Sequence, residues 1–397
     1  MLFSISKSLK GAATTATLVL MVATLLTSGF AKDKQKAAPA PAAKTTKPWD
    51  RIGVDISKLV WPQPPDVARL KYLDLYTGQK IDWDKVKKLV ADNSKNHKLS
   101  WKDKLAGTDP RGVANSDFKM PFQLMNPTCV ALGAKGRIYI GDPKVGAIFI
   151  YNPEDKSTSF IIAGKNAHLG MMAGLALDDD ETLFVSDAKL HRVTVISSKG
   201  EEVSHFGSEL MVSPAGIALN RENRLLYVVD AQLDQVLVYD ADTYKLVKRI
   251  GTTGKKHTLM TPGDFSAPTH VAIDSDGNIF VTDSLNNRVE MFDSDGTFIR
   301  EFGKAGDGPG RFGRPKGIAV DPDGHIWVAD ALLQRVQVFN QEGRLLLIVG
   351  QQGQLAGMFS SLDDIAIDAN NRVATTELFP ARVQVFRYVS DQEAAVE

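Results

Sequence analysis

Six apolar triplets punctuate the chain between Asn126 and Phe386: Val130-Ala131-Leu132, Leu175-Ala176-Leu177, Ile217-Ala218-Leu219, Val271-Ala272-Ile273, Ile318-Ala319-Val320 and Ile365-Ala366-Ile367. None alternates with polar residues, which is the pattern of a strand buried on both faces. Turn residues follow at a fixed offset, as in Asp274-Ser275-Asp276-Gly277 and Asp321-Pro322-Asp323-Gly324, where Asp can bond its own backbone and Gly can take positive φ. A second strand rich in aromatic and β-branched residues comes next (Ile138-Tyr139-Ile140, Ile326-Trp327-Val328), and then a third (Val193-Thr194-Val195, Val336-Gln337-Val338). The fourth ends in Gly, most clearly at Gly251, Gly303 and Gly350. The acid closing each second strand, Asp142, Asp187, Asp230, Asp283, Asp330 and finally Glu377, recurs every 43–53 positions. Four short strands and their turns fill that period.

The sixth unit stops after its third strand, near Phe386, so its outer strand must come from elsewhere. Upstream, after Trp61-Pro62-Gln63-Pro64-Pro65, the segment Ala68 to Tyr76 alternates apolar and polar residues, as a half-exposed outer strand does. It is expected to complete the last unit, closing a ring from both chain ends and removing the free edge of an open array.

The run Gly317-Ile318-Ala319-Val320-Asp321-Pro322-Asp323-Gly324-His325-Ile326-Trp327-Val328-Ala329-Asp330, followed by Arg335-Val336-Gln337-Val338-Phe339 and Gly350, resembles the NHL repeat, and the chain resembles bacterial exported six-bladed NHL propellers over about residues 59–388. The resemblance implies an all-β, six-bladed β-propeller with four-stranded blades. Units one and three depart from the repeat at the start of the third strand, with Ala147-Ile148 and Gln235-Val236 in place of Arg-Val.

Charge adds one exclusion. Lys plus Arg and Asp plus Glu are 47 each, so no net field draws the chain to phosphate, and no nucleic-acid partner is expected. Cys129 is the only cysteine, which rules out an intrachain disulfide and any paired-Cys metal motif. At the N terminus, Lys7 and Lys10 precede an uncharged run from Gly11 to Ala31 that ends in small residues. Residues 1–31 read as a secretory signal peptide or, alternatively, as an uncleaved membrane anchor, which would be the only membrane contact expected. Residues 32–58 have the Ala/Pro/Lys composition of a disordered linker, and 389–397 form a polar tail.

Residues 79–124 are an insert within the propeller. Asp82 can cap a short helix with Trp83, Val86, Leu89 and Val90 on one face, and Ser100-Trp101 can start another. The insert enters the first unit where inner strands begin, so it is expected at that mouth of the central channel. It is either a packed embellishment or, through Trp83 and Trp101, a lid or partner-docking element.

The same mouth holds the one suggestive constellation. Directly before the inner-strand triplets stand Cys129, Gly174, Gly216, His270, Gly317 and Asp364. Glycine suits backbones that crowd together at an axis, so a side chain there needs room or a purpose. A thiol, an imidazole and a carboxylate could form a nucleophilic or metal-binding set. Blades one and six are neighbours, however, which leaves His270 across the channel from Cys129 and Asp364, beyond the about 2.6 to 3.2 Å a nucleophile and its base require.

Other motifs read as scaffold. Gly303 to Gly310 lacks the Gly-Lys-Ser/Thr of a phosphate loop and reads as an interblade turn; the acidic Asp-Gly turns lack the closing Glu of an EF-hand. The pairs Asp187/Arg192, Asp283/Arg288 and Asp330/Arg335 share one spacing and are expected to be scaffold hydrogen bonds. His191, His205 and His325 show no ligand spacing. No catalytic residue, metal or cofactor is assigned. The leading functional expectation is a monomeric, non-enzymatic interaction scaffold, periplasmic or secreted, with an envelope or extracellular protein partner. The alternatives are a propeller enzyme similar to the amidating lyases, which hold zinc with His residues from several blades, and a small-ligand or ion binder at Cys129, His270 and Asp364.

Overall fold

The computed structural model describes residues 58–62, 67–80, 122–252, 261–390 and 393. The expected export segment, the linker up to residue 57 and most of the insert, including Trp83 and Trp101, lie outside the described residues. Six antiparallel sheets follow one another along the chain, as the six triplets predict. Blades one to five occupy residues 129–162, 172–206, 214–250, 268–302 and 315–349, each with four strands in chain order from the inner strand outward. Neighbouring inner strands touch in succession, and the inner strand of blade six touches that of blade one, which makes the ring.

Blade six is assembled from both ends of the chain. Its inner, second and third strands span 362–388, and Leu70–Tyr76 pairs antiparallel with the third, from Leu70 opposite Tyr388 to Tyr76 opposite Val383. The alternation read from the sequence is visible as burial of Leu70, Tyr72 and Tyr76, interrupted by a bulge between Tyr72 and Asp74 that turns Leu73 outward. The structure adds a fifth strand that the expected four-stranded blade did not include. Val60–Trp61 pairs with Leu70 and Lys71, and the Trp61 indole stands edge-on to Phe386, 5.7 Å between ring centres.

Six apolar cores lie between neighbouring blades. The middle residue of each triplet is alanine because inner strands converge and leave little room, while Trp327, Tyr227, Phe149 and Phe280 fill the wider space further out. The Gly that ends an outer strand has a packing reason as well as a conformational one. Gly303 and Gly350 have φ near +89° and +78°, and a methyl on either would come within 2.4 Å of Phe312 or Phe359, which plug the next interblade core.

The acid at the end of each second strand holds the mouth face together. Asp330 is fully buried; its carboxylate accepts the backbone N–H groups of Gly313 (2.7 Å) and Arg314 (3.0 Å) from the incoming loop, and of Leu332 (3.0 Å) and Leu333 (2.9 Å) from its own hairpin. Asp142, Asp187 and Asp230 repeat this pattern in blades one to three. A second tie runs to the next blade from a hairpin residue held at positive φ. His191 reaches Val212 O, Asp234 accepts from Ala267 N (2.8 Å), Asn287 donates to Gly313 O (2.7 Å), and Gln334 accepts from Leu362 N (2.9 Å).

Two outcomes are expected. Asp330→Ala leaves four backbone donors without their acceptor and should lower unfolding free energy by about 3 kcal/mol or more in urea titrations; a loss below about 1 kcal/mol would mean water replaces the carboxylate. Deleting residues through Tyr76 bares the third strand of blade six and should give oligomers or aggregate by light scattering. A truncated protein as monomeric and as stable as the parent would show that closure does not depend on this strand.

Candidate functional site

At the start of each inner strand the ladder to the second strand slips, in blades two to six, by a bulge at the axial position. The bulge is steadied where the second strand offers a hydroxyl. Thr282 Oγ accepts from His270 N (2.9 Å) and donates to Lys316 O of the next blade (2.7 Å), and Thr376 Oγ accepts from Asp364 N (3.0 Å). Ser186 Oγ similarly donates to Ala215 O. These hydroxyls were not singled out from the sequence, although the doublets Ser186-Asp187, Thr282-Asp283 and Thr376-Glu377 carry the signal.

The axial glycines serve the close approach expected of them. A methyl on Gly216 would lie 2.6 Å from His270 Cα, and one on Gly317 would lie 2.7 Å from Asp364 Cα. Each glycine is thus a notch in which the next blade's inner strand sits.

Those notches bring two of the three suggested side chains together. His270 Nε2 lies 3.4 Å from Asp364 Oδ1, which corrects the expectation that the channel separates them; blades four and six are two apart, and at the axis the ring is narrow enough for their side chains to meet. Asp364 also binds blade one, accepting from Val130 N (2.9 Å), and its other oxygen accepts from Ile365 N (2.8 Å). Neither ring nitrogen of His270 makes a hydrogen bond of good geometry, although the residue is only 9% exposed and the Lys316 backbone lies beside the ring. Burial drives the imidazole down to about 3 and the Asp364 carboxyl up to about 7, so both favour their uncharged forms in mildly acid solution. Lys316, in contact with Asp363, is the charged pair next to them at the mouth.

Cys129 does not join this pair. It is fully buried in the core between blades one and two with Met172, and a methyl on Gly141 would lie 2.5 Å from its sulfur. Burial first, and the Asp364 charge second, push its thiol well above the ordinary range, so it is a protonated packing group. The partner-docking residues Trp83 and Trp101 lie outside the described residues.

The acid/arginine pairs divide. Asp283 bonds Arg288 (2.9 Å), as expected, and Glu377 bonds Arg382 (2.6 Å). Arg192 instead reaches His168 O and Glu202, and Arg335 reaches Gly308 O. The reason is acceptor capacity. Asp187 and Asp330 are filled by backbone donors, whereas Asp283 accepts Asn286 Nδ2 and Ser266 N and keeps room for a guanidinium. Spacing also missed a cluster on blade two, where His168 (2.9 Å) and His205 (3.4 Å) both face Glu202 in a groove of about 560 Å³. Among the described residues no group of three or more His, Cys, Asp or Glu side chains is placed to hold a metal ion.

The two faces of the disc differ. At the mouth, the second residue after the repeating acid tips each hairpin, and successive blades carry Lys144, Lys189, Gln232, Leu285, Leu332 and Phe379. The last three are 63%, 66% and 63% exposed, and Met125 and Met171 are exposed nearby. In the turns of the opposite face, among the described residues, no large apolar side chain is exposed; the tips there include Asp179, Asp180, Glu222, Asp276, Asp295 and Asp323.

Comparison with known proteins agrees with this architecture. A family model described as "6-bladed beta-propeller" matches residues 259–334, which span the end of the loop into blade four, that blade and the start of blade five. A probable peptidyl-α-hydroxyglycine α-amidating lyase of Caenorhabditis elegans is 29% identical over 174 residues, 40% of this chain and 48% of that protein; the chain spans about half the length of this curated relative. A solved Bacteroides thetaiotaomicron protein of unknown function aligns over 69% of this chain and 72% of its own with TM-score 0.54 and 16% identity. Hydrazine synthase of Kuenenia stuttgartiensis aligns over 70% and 99% with TM-score 0.50 and 13% identity. At such identities these structures share the fold alone. Sheet order, repeat and family match together make this chain a six-bladed β-propeller with four-stranded blades, closed by an N-terminal strand.

Proposed function

We propose that the protein is an exported, non-enzymatic interaction scaffold of the cell envelope that makes its contacts through the mouth face. The observation that carries this reading is the row of apolar tips at one repeat position on three consecutive blades, Leu285, Leu332 and Phe379. Exposed apolar residues gathered on one face and missing from the turns of the other mark a binding surface. The uncharged run after Lys10 supports export.

A propeller lyase or hydrolase working at the channel mouth is the second reading, favoured by the amidating-lyase relative and by the His270 imidazole, whose nitrogens make no hydrogen bond of good geometry. Its chemistry finds little to work with. The thiol is protonated and turned away, and a single imidazole with a depressed proton affinity faces a carboxyl with a raised one. These two groups face one another across the axis, and Asp364 ties blade six to blade one.

Replacing Leu285, Leu332 and Phe379 together by Ser should leave urea stability within about 0.5 kcal/mol per site and should cut retention by envelope fractions at least tenfold. The control is Asp179→Asn with Asp276→Asn and Asp323→Asn on the opposite face. If the control loses retention and the tip variant keeps it, the working surface has been placed on the wrong side.

The pair of His270 and Asp364 generates a separate expectation. Asp364, raised from 3.8 to about 7, adds stability that is fully present below pH 3.8 and lost as pH rises to 7; His270, lowered from 6.5 to about 3, adds stability present above pH 6.5 and lost as pH falls to 3. Between about pH 4 and 6.5 the opposed slopes cancel. With His270→Gln only the Asp364 slope remains, so the variant's stability should fall from about pH 4 to 7; with Asp364→Asn only the His270 slope remains, so it should rise from about pH 3 to 6.5. Chemical denaturation across this range checks both, and curves parallel to the parent would show that the two groups do not titrate as a pair.

A further inference from the structure

The mouth face combines its apolar tips with an excess of cations. Exposed cations Lys144, Lys165, Lys189, Lys304, Arg311 and Arg314 stand on it against the exposed anions Glu209 and Asp307, whereas in the opposite turns exposed acids outnumber the exposed cations, which there include Lys135, Lys156, Lys199 and Arg344. The zero net charge of the whole chain conceals this separation. All six mouth hairpins have the same length, from the repeating acid to the start of the third strand, so their tips occupy equivalent places in successive blades. The apolar tips form an arc along blades four to six, and the middle of the face is polar, with Thr269, Lys316 and Asp363.

A protein interface of ordinary size gathers its apolar anchors at the centre of a packed patch and leaves charge at the rim. Here the arrangement is reversed, apolar points at the periphery of the face and charge between them. That geometry fits a flat, deformable, negatively charged surface, which needs coplanar apolar points and interspersed cations but no matching shape.

Deepening the mouth-face reading, on which it rests, we propose that this face docks on an anionic phospholipid bilayer. Leu285, Leu332 and Phe379 enter the headgroup region, Lys144, Lys189 and Arg314 lie level with the lipid phosphates, and the acidic turns face away. The difference in charge balance between the two faces favours landing on the mouth side.

The test uses the full chain and extruded vesicles of phosphatidylcholine with or without 30% phosphatidylglycerol. Leu332→Cys and, separately, Asp323→Cys place a polarity-sensitive fluorophore on either face; Cys129 is fully buried and does not compete for label. The label at position 332 should shift to the blue on anionic vesicles, while the label at 323 should not, a contrast that insertion of the N-terminal segment alone would not give. Lys144→Gln, Lys189→Gln and Arg314→Gln should each weaken binding about fivefold at low salt, and the triple Ser variant of the tips should weaken it at least tenfold at every salt concentration. No shift at 332 on anionic vesicles, equal binding to neutral and anionic vesicles, or equal shifts at both positions would overturn the proposal. If vesicles fail while envelope retention still depends on the tips, the mouth-face reading stands and its occupant is a protein.

Discussion

The structure depends on a buried carboxylate used six times. A carboxylate removed from water is costly unless its lone pairs are filled: in blades one, two, three and five the hairpin and the incoming loop fill them with backbone donors, and in blades four and six one incoming backbone N–H is joined by an arginine and an amide side chain. One acid per blade therefore ties the incoming loop to the end of the second strand, and what its bonds leave free is the side chain at the tip of the hairpin. Leu285, Leu332 and Phe379 occupy those tips, so their side chains project from a rigid base and carry no part of the fold. Precision of placement and freedom of side-chain identity come from the same interaction.

The second constraint is crowding at the axis. Six inner strands meet within a narrow ring, which accounts for the alanine in every triplet and for glycines that a methyl group would drive into the next blade. Where three blades depart from glycine, two of the side chains meet across the ring, where burial disfavours the charged form of each. The third, Cys129, finds room only by turning outward into an interblade core.

Much of this was legible in the chain. Strand period, hairpin turns and the upstream strand that completes blade six follow from local alternation and from an unfilled edge, which are properties a sequence displays directly. Three features were hidden for physical reasons. Distance across the ring is set by strand packing, so blade order alone misplaced His270 relative to Asp364. Whether an arginine bonds its neighbouring acid depends on how many backbone donors already occupy that acid, which separates Asp283 from Asp187 and Asp330. Charge separation between faces vanishes in a sum over the chain, although the tip residues stand at a fixed offset from the repeating acid and could have been lined up. The fifth strand at Val60–Trp61 is two residues long, too short for periodicity to register.

Closure of blade six also sets an order of events. The outer strand Leu70–Tyr76 is among the first parts of the propeller to leave the ribosome, and its partner Arg382–Tyr388 is among the last. Throughout synthesis a growing arc of finished blades carries an unmatched strand at its front and an apolar flank at its rear, and neither can be covered until the chain is complete. Contacts this distant in sequence form slowly, so the nascent protein passes through a long interval in which two complementary adhesive ends belong to one molecule and can equally be satisfied by a second. The seal that covers the third strand of blade six is thus the step at which one chain must find itself before it finds another.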